Sequence, residues 1–461
     1  MTEDREAITL QTKVPELHDE RSRELLERAC RVVPGGVNTG RRNIDPPVCI
    51  KRAQGSKLVD LDGNVLIDYH AAWGAILLGH AHAEVNRRVA HDIDELVLIG
   101  FGTTEREVEL AEAIVRHVPS AEQVLLTNSG TEATFHAVRL ARAVTGREHV
   151  LKFQGLYHGF HDYLLSGSAE SGLANGESSR DRRSAGVLAA AQERTLACRY
   201  NDLESVEAAF RKHPGQIAAV VIEPYAHNAG SIEPLPGFLQ GLREICDREG
   251  TLLVFDEVIT GFRHALGGYQ SIAEVTPDLT TIGKAIANGF PIAAIAGKKQ
   301  FMQRFSTAKD GDVFVGGTFA GNTAGTSAAL ATIEILERGG VYEHTYRLGE
   351  RMRAGLRRIA AQRGIAATVV GYGSLYVMLF MEGPLHNYED FLRNDAELFV
   401  TYRRELLRRG VFEMPDFIGC RSHISAAHTD EDVDLTLTAA EEALDAALDG
   451  VAGKGIGAGR L

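Results

Sequence analysis

Two residues at the ends of apolar runs carry the clearest chemical potential in this sequence. Lys284 follows Pro277-Asp278-Leu279-Thr280-Thr281-Ile282-Gly283, which reads as a strand entering a turn. Twenty-eight residues earlier, Thr251-Leu252-Leu253-Val254-Phe255 ends in Asp256-Glu257-Val258. An amine and a carboxylate at the ends of neighbouring strands suit pyridoxal 5'-phosphate (PLP). The amine can hold the aldehyde covalently, and the carboxylate can keep the ring nitrogen protonated.

Alternate residues of a strand share a face, so Asp256 and Val258 can address one flat ring while Glu257 points away. Tyr157, in Gly155-Leu156-Tyr157-His158-Gly159, follows another apolar run and can stack on the opposite ring face. Thr127-Asn128-Ser129-Gly130-Thr131-Glu132-Ala133 joins a short apolar run to a helical pattern. Ser129, Gly130 and Thr131 therefore sit where unpaired helix amides and the helix dipole favour a phosphate, although Ser and Thr there also serve as ordinary caps. Most lysines are exposed, but the small and apolar neighbours of Lys284 (Ile282, Gly283, Ala285, Ile286) favour a partly desolvated, neutral amine.

The elements that must position these groups are legible as periodicities. Residues Glu16 to Val33 form an amphipathic helical pattern, stopped by Pro34-Gly35-Gly36. Val48 to Tyr69 alternates and turns through Asp62-Gly63-Asn64, as a hairpin or meander does. From about 70 to 310, continuous apolar runs (124–126, 149–153, 217–222, 252–255, 292–296) alternate with helical patterns, which suits a parallel sheet buried on both faces. A long helical stretch (328–336, then 346–362) leads to strands at 366–381 and 411–426 and a helix near 430–448. The polar segment Ser166 to Gly186 reads as a mobile loop, and the glycine-rich end as a frayed tail. The division predicted is an N-terminal segment 1–69, a large α/β domain 70–330, a small α+β domain 331–449 and a tail 450–461.

With 461 residues, 44% hydrophobic and 24% charged, the chain has the balance of a globular protein with more than one lobe. Its formal charge of −13 argues against nucleic acid or an anionic membrane as partner. The five cysteines are scattered without a C-x-x-C pair, which argues against a disulfide framework or structural zinc. The paired histidines His80/His82 and His158/His161 lack an H-E-x-x-H setting, so no metal is expected. A charged start and no long apolar stretch make a cytoplasmic enzyme the expectation. A non-catalytic nucleotide-binding protein is disfavoured, since no phosphate-binding G-x-x-x-x-G-K-[ST] loop is present.

Taken in order, Pro34 to Asn38, Trp73-Gly74, Leu78-Gly79-His80, Ser129 to Ala133, Tyr157 to Gly159, Glu223-Pro224, Phe255 to Phe262, Gly283-Lys284, Gly317-Thr318-Phe319 and Gly321-Asn322 resemble the class III aminotransferases of fold type I PLP enzymes. The glutamate-1-semialdehyde aminomutase-like branch is the most similar. The resemblance runs from about residue 30 to 445. It implies an α/β fold with a mostly parallel, seven-stranded type of sheet wrapped by helices, plus a smaller α+β lobe built from both chain ends. It also implies a homodimer with shared active sites. Lys284 would carry the cofactor and shuttle the substrate proton, with Asp256 on the ring nitrogen and Val258 and Tyr157 on the two faces. Asn228 would lie near the ring hydroxyl, and Ser129, Gly130 and Thr131 at the phosphate. His158 and Glu223 would complete the cofactor site, and Thr318 would reach the neighbouring subunit's phosphate. The loop from Ser166 corresponds to one that closes over the site.

For the substrate, the resemblance points to Thr39, Arg41, Arg42 and Trp73, with Arg42 as carboxylate ligand; a guanidinium binds a carboxylate well in bidentate fashion. Near Pro415 to His423 the aminomutases carry an acidic residue, and here Cys420 and Arg421 occupy that neighbourhood. A cation there favours a second acidic group over a diamine-like species. The expected activity is therefore amino transfer from a carboxylate-bearing donor to a keto acid or aldehyde by a ping-pong scheme, β-amino and uncommon α-amino acids being candidates. An aminomutase or racemase on the same scaffold is the alternative.

Overall fold

The computed structural model describes residues 17–165, 184–306 and 310–453. The expected loop from Ser166 to Gly186 and the tail from 450 fall mostly outside these residues. The first helix spans Glu20–Cys30, shorter at both ends than its pattern. Val48 to Tyr69 folds as an antiparallel meander of β1 (Ile50–Gln54), β2 (Lys57–Asp60) and β3 (Val65–Asp68). The β2–β3 turn is fixed by Asp60, whose carboxylate accepts from Asn64 N (2.8 Å) and Asn64 Nδ2 (2.6 Å).

The large sheet holds β4 (Gln123–Thr127), β5 (His149–Phe153), β6 (Thr195–Cys198), β7 (Ile217–Ile222), β8 (Leu252–Glu257), β9 (Leu279–Ile282) and β10 (Ala293–Gly297). Their order is β4-β10-β9-β8-β7-β5-β6, parallel except that β10 runs antiparallel to both neighbours. Every residue of β5 through β10 is buried, as helices cover both faces. Strand β6 gave no sequence signal, because Thr195-Leu196-Ala197-Cys198 is too short and mixed to stand out.

Toward the C-terminus, β11 (Thr368–Val370), β12 (Leu375–Leu379) and β14 (Ser422–His423) form a small sheet. The two-residue β13 (Val411–Phe412) instead joins the N-terminal meander, parallel to β3. Downstream of it, Met414, Phe417 and Cys420 pack against the meander, and Arg421 reaches Asn228 beyond the carboxyl end of β7, at the edge where α/β sheets bind ligands. The strands here are shorter than the alternating pattern suggested, since much of 366–381 and 411–426 is irregular.

The segment after β3 is unusual. Ala71, Ala72 and Trp73 have φ of 50°, 51° and 60°, and Gly74 follows at 81°. Left-handed backbone costs a non-glycine residue roughly 1–2 kcal/mol, so this turn must be held from outside. Asp68 Oδ1 accepts from His70 N (2.9 Å) and Ala71 N (3.1 Å). The fully buried Arg263 donates to Gly74 O (2.7 Å) and Ile76 O (3.1 Å).

Candidate active site

At the carboxyl ends of β4, β5, β7, β8 and β9 one cavity gathers Ser129, Gly130, Thr131, Tyr157, His158, Glu223, Asn228, Asp256, Val258 and Lys284, together with Phe290 to Ile292. Each was expected from sequence except the last group.

Asp256 ends β8 inside the protein, 4% exposed. Its Oδ2 lies 2.7 Å from His158 Nδ1, and its Oδ1 accepts from Thr281 Oγ1 (3.0 Å) and Val258 N (3.1 Å). Burial alone would raise this carboxyl, but these partners reverse the shift and hold it below its ordinary value. Glu257 faces the other way, accepting from Tyr269 N, both Gln270 nitrogens and Thr260 Oγ1. The alternation inferred from sequence is thus realised.

Lys284 opens a 3-10 turn directly after β9 and itself has φ of 47°. Its amine is pushed down to about 8, first by burial and then by the Arg421 cation, with Asp256 and Glu223 pulling the other way. A neutral nucleophilic fraction is therefore present near neutrality.

The helix Gly130–Thr145 starts at the same edge. Ser129 Oγ does act as an ordinary cap, accepting from Glu132 N at 3.3 Å. The amides of Gly130 and Thr131 have no intrahelical acceptor and lie at the positive end of the helix dipole. Glycine is needed here, because a Cβ at 130 would meet both Val258 methyls at 2.9 Å. Opposite, Gly159 (φ 106°) lets the Tyr157-His158 loop approach, since a Cβ there would meet Thr131 Oγ1 at 2.9 Å.

The arrangement fits PLP. A buried anion stands at one end, helix amides at the other, Val258 and Tyr157 line the space between, and a lysine reaches it. Next to it, Asn228 donates through Nδ2 to Glu223 Oε1 and through its backbone N–H to Glu223 Oε2 (3.2 Å). Burial raises the Glu223 carboxyl. Asn228 Oδ1 in turn accepts from Arg421 Nη1 at 2.9 Å. Arg421 is 2% exposed, and burial leaves its guanidinium below its ordinary value although Cys420 and Glu223 pull the other way.

The substrate-side residues are rearranged relative to expectation. Arg42 closes the 3-10 turn Gly40–Arg42 and Thr39 precedes that turn in extended conformation, both exposed. Arg41 instead lies toward the site, its guanidinium 3.9 Å from the centroid of Phe417 and its charge felt by Tyr157 and Arg421. In a 3-10 turn successive side chains diverge by a third of a turn, so one arginine turning inward sends its neighbour out. Trp73 packs edge-on against Phe417 (5.8 Å) and His70 (4.5 Å) rather than lining the cavity. Thr318 is not part of this cavity within one chain; it lines a separate cleft with Leu98, Phe101, Thr104 and Glu107.

Sequence reasoning missed Thr281 and Phe417. Thr281 pairs with Asp256 across β8 and β9, a register no local pattern reveals. Among the described residues one group could hold a metal ion, His91-Asp92-Glu95, with Asp92 buried and the other two exposed, and its carboxylates already pair with Arg88 and Arg106. No helix among the described residues is long and apolar enough to cross a membrane.

Comparison with known proteins agrees with this geometry. The family model "Aminotransferase class-III" matches residues 39–411. A glutamate-1-semialdehyde 2,1-aminomutase of Syntrophomonas wolfei subsp. wolfei is 42% identical over 433 residues, covering 93% of this chain and 98% of the relative. Among solved structures, an omega-transaminase from Sphaerobacter thermophilus superposes with a TM-score of 0.86 at 33% identity, covering 93% and 98% of the two chains. A β-phenylalanine aminotransferase from Variovorax paradoxus gives 0.82 at 30% identity, covering 94% of each.

Proposed function

The chain belongs to the class III aminotransferase family, and from that premise we propose that it moves an amino group from a carboxylate-bearing donor to a separate keto acid or aldehyde. Enzymes of this family use PLP, which draws electrons from the substrate carbon so that a proton can leave it. Lys284 holds the cofactor and then moves that proton. Asp256, braced by His158 and Thr281, keeps the ring nitrogen charged. Gly130 and Thr131 amides take the phosphate, while Val258 and Tyr157 fix the ring plane.

The observation that carries transfer between molecules is Arg421, a buried cation bonded to Asn228 beside the lysine. A cation at that point attracts an acidic group and repels an ammonium at the far end of a diamine. The β-amino acid reading draws support from the likeness to the β-phenylalanine enzyme. The sequence relatives named aminomutases favour a second reading, internal transfer on one molecule of glutamate 1-semialdehyde.

A homodimer belongs to the proposal. Thr318 stands beside exposed Phe314 and Phe319, and Phe101 lines the same cleft (77%, 62% and 87% exposed), an apolar surface suited to a second copy.

The test is stoichiometry. With a panel of amines and no acceptor, transfer yields about one keto product per active site. Sustained turnover then requires pyruvate or 2-oxoglutarate. Continuous turnover of glutamate 1-semialdehyde without any acceptor would establish the second reading instead.

A further inference from the structure

Asn228 lines the cavity from a small closed loop, and the side chains that brace this loop do not line the cavity themselves. The loop's ends are clasped by paired backbone bonds between Ala226 and Ile232, 3.0 Å in each direction. Within it, Gly230 (φ 82°) and Ser231 (φ 63°) have left-handed backbone. Phe391 packs so closely on Gly230 that a Cβ there would meet its ring at 2.7 Å. Inside the loop, His227 Nδ1 lies 3.2 Å from Ser231 Oγ, and His227 Nε2 lies 2.9 Å from Nε2 of His264, 37 residues away in the chain.

Both imidazoles are buried. Tyr225 stacks on His227 with centroids 4.6 Å apart, and Tyr269 and Tyr372 meet His264 edge-on. Tyr346, on the helix Val341–Gln362, donates to the His264 carbonyl at 2.7 Å. Burial comes first among the causes that push both imidazoles below the ordinary histidine value. Neighbouring charges follow: His264, Arg421, Arg263 and Lys284 act on His227, and Arg263 and Arg353 on His264. The pair is therefore neutral, with one proton between the two Nε2 atoms. His264 Nδ1 has no hydrogen-bond partner among the described residues. Orphaned buried N–H groups are rarer than unfilled acceptors, which puts the His264 proton on Nε2. His264 then donates to His227, and His227 donates through Nδ1 to Ser231, a one-way relay ending on the loop that bears Asn228.

We infer that His227 and His264 are positioning residues, a hydrogen-bonded pair that fixes the Asn228 carboxamide with its oxygen toward Arg421 and its nitrogen toward Glu223. The inference rests on the reading that Asn228 faces the cofactor ring. Among the described residues, Asn228 Oδ1 is the only hydrogen-bond partner of the Arg421 guanidinium. A half-turn of the carboxamide would set N–H groups against the Arg421 donors and a carbonyl against the Glu223 carboxylate, so its orientation matters to both.

The test loads apoenzyme with pyridoxal phosphate and follows the cofactor's visible absorbance against pH. Its midpoint responds to the groups around the ring. Asn228→Ala sets the reference shift. His264→Phe keeps a ring among the tyrosines and deletes the nitrogen. It should move the midpoint in the same direction by at least about half a pH unit, the scale of one modest hydrogen bond. His264→Gln keeps a donor near the Nε2 position and should stay within about 0.2 units of the parent. In an Asn228→Ala background His264→Phe should add nothing, because a positioning residue has no effect once the group it positions is gone.

The arms separate the possible failures. No shift in Asn228→Ala would sink the reading that Asn228 faces the ring. A shift there with none in His264→Phe would leave that reading standing and overturn the pair. The pair is also overturned if His264→Phe moves the midpoint equally with and without Asn228, or if His264→Gln moves it as far as His264→Phe. Should His264→Phe not fold, Ser231→Ala breaks the other end of the relay and carries the same expectations.

Discussion

Replacing Arg421 by methionine should make Lys284 a poorer nucleophile at neutral pH, although the two residues are far apart in the chain. Lys284 falls from an ordinary 10.5 to about 8, with burial the first cause and Arg421 the second. That fall corresponds to about 3 kcal/mol in favour of the neutral amine. Two unit charges on the order of 10 Å apart, at an effective dielectric near 20, contribute about 1.7 kcal/mol, or roughly one pH unit. Removing the cation favours the ammonium, so the sign is a rise. At pH 7.5 the neutral fraction would drop from about a quarter to about 3%, an eightfold fall in amine reactivity. The assay is pulsed acetylation of the apoenzyme across pH 6 to 10, read by mass spectrometry of the peptide containing Lys284. Arg421→Lys keeps the charge and should leave the midpoint near that of the parent. A midpoint unmoved in Arg421→Met, or one that falls, would refute the electrostatic coupling between Arg421 and Lys284.

Other consequences follow from the same coordinates. If the site is shared between subunits, co-expressed Lys284→Ala and Thr318→Ala chains should recover about a quarter of the parent's active sites, since half the dimers are mixed and each holds one intact site; active-site titration showing none would exclude sharing. Glu257→Gln places an amide donor among the N–H and O–H donors of Tyr269, Gln270 and Thr260, so urea denaturation should show a loss of about 2–3 kcal/mol; a change below about 0.5 kcal/mol would contradict the buried network. Burial, the first cause in each case, pushes His70 and His161 down to about 4 and His264 to about 3. These groups bind protons in the unfolded chain before they do so in the folded one. Their contribution is fully present above the ordinary value near 6.5 and is lost as pH falls from there toward 4, at up to about 1.4 kcal/mol per pH unit each. A flat stability between pH 7 and 5 in urea titrations would contradict this, and His161→Asn should flatten the fall.

How far the sequence reaches depends on the range of the interaction that decides each feature. The buried strands were legible because apolar runs bounded by turns are local signals. Lys284, Asp256 and Val258 were legible for the same reason: a strand end and its alternation fix which side chains share a face. Residue types then determined the chemistry available, an amine, an anion and a helix start at one sheet edge.

What only the tertiary structure decided involves contacts between distant segments. Thr281 braces Asp256 because β8 and β9 pair in that register, and His158 does so across 98 residues. That Arg41 packs on Phe417 while Arg42 is exposed turns on one residue's rotation in a 3-10 turn, finer than any hydropathy pattern. Arg421 reaches Asn228 across 193 residues, soon after β13 has paired with β3 from the far end of the chain. Periodicity reports which face of an element is buried; it carries no information about which other element lies against that face, and in this protein that second fact brings Arg421 to Asn228 and Arg41 to Phe417.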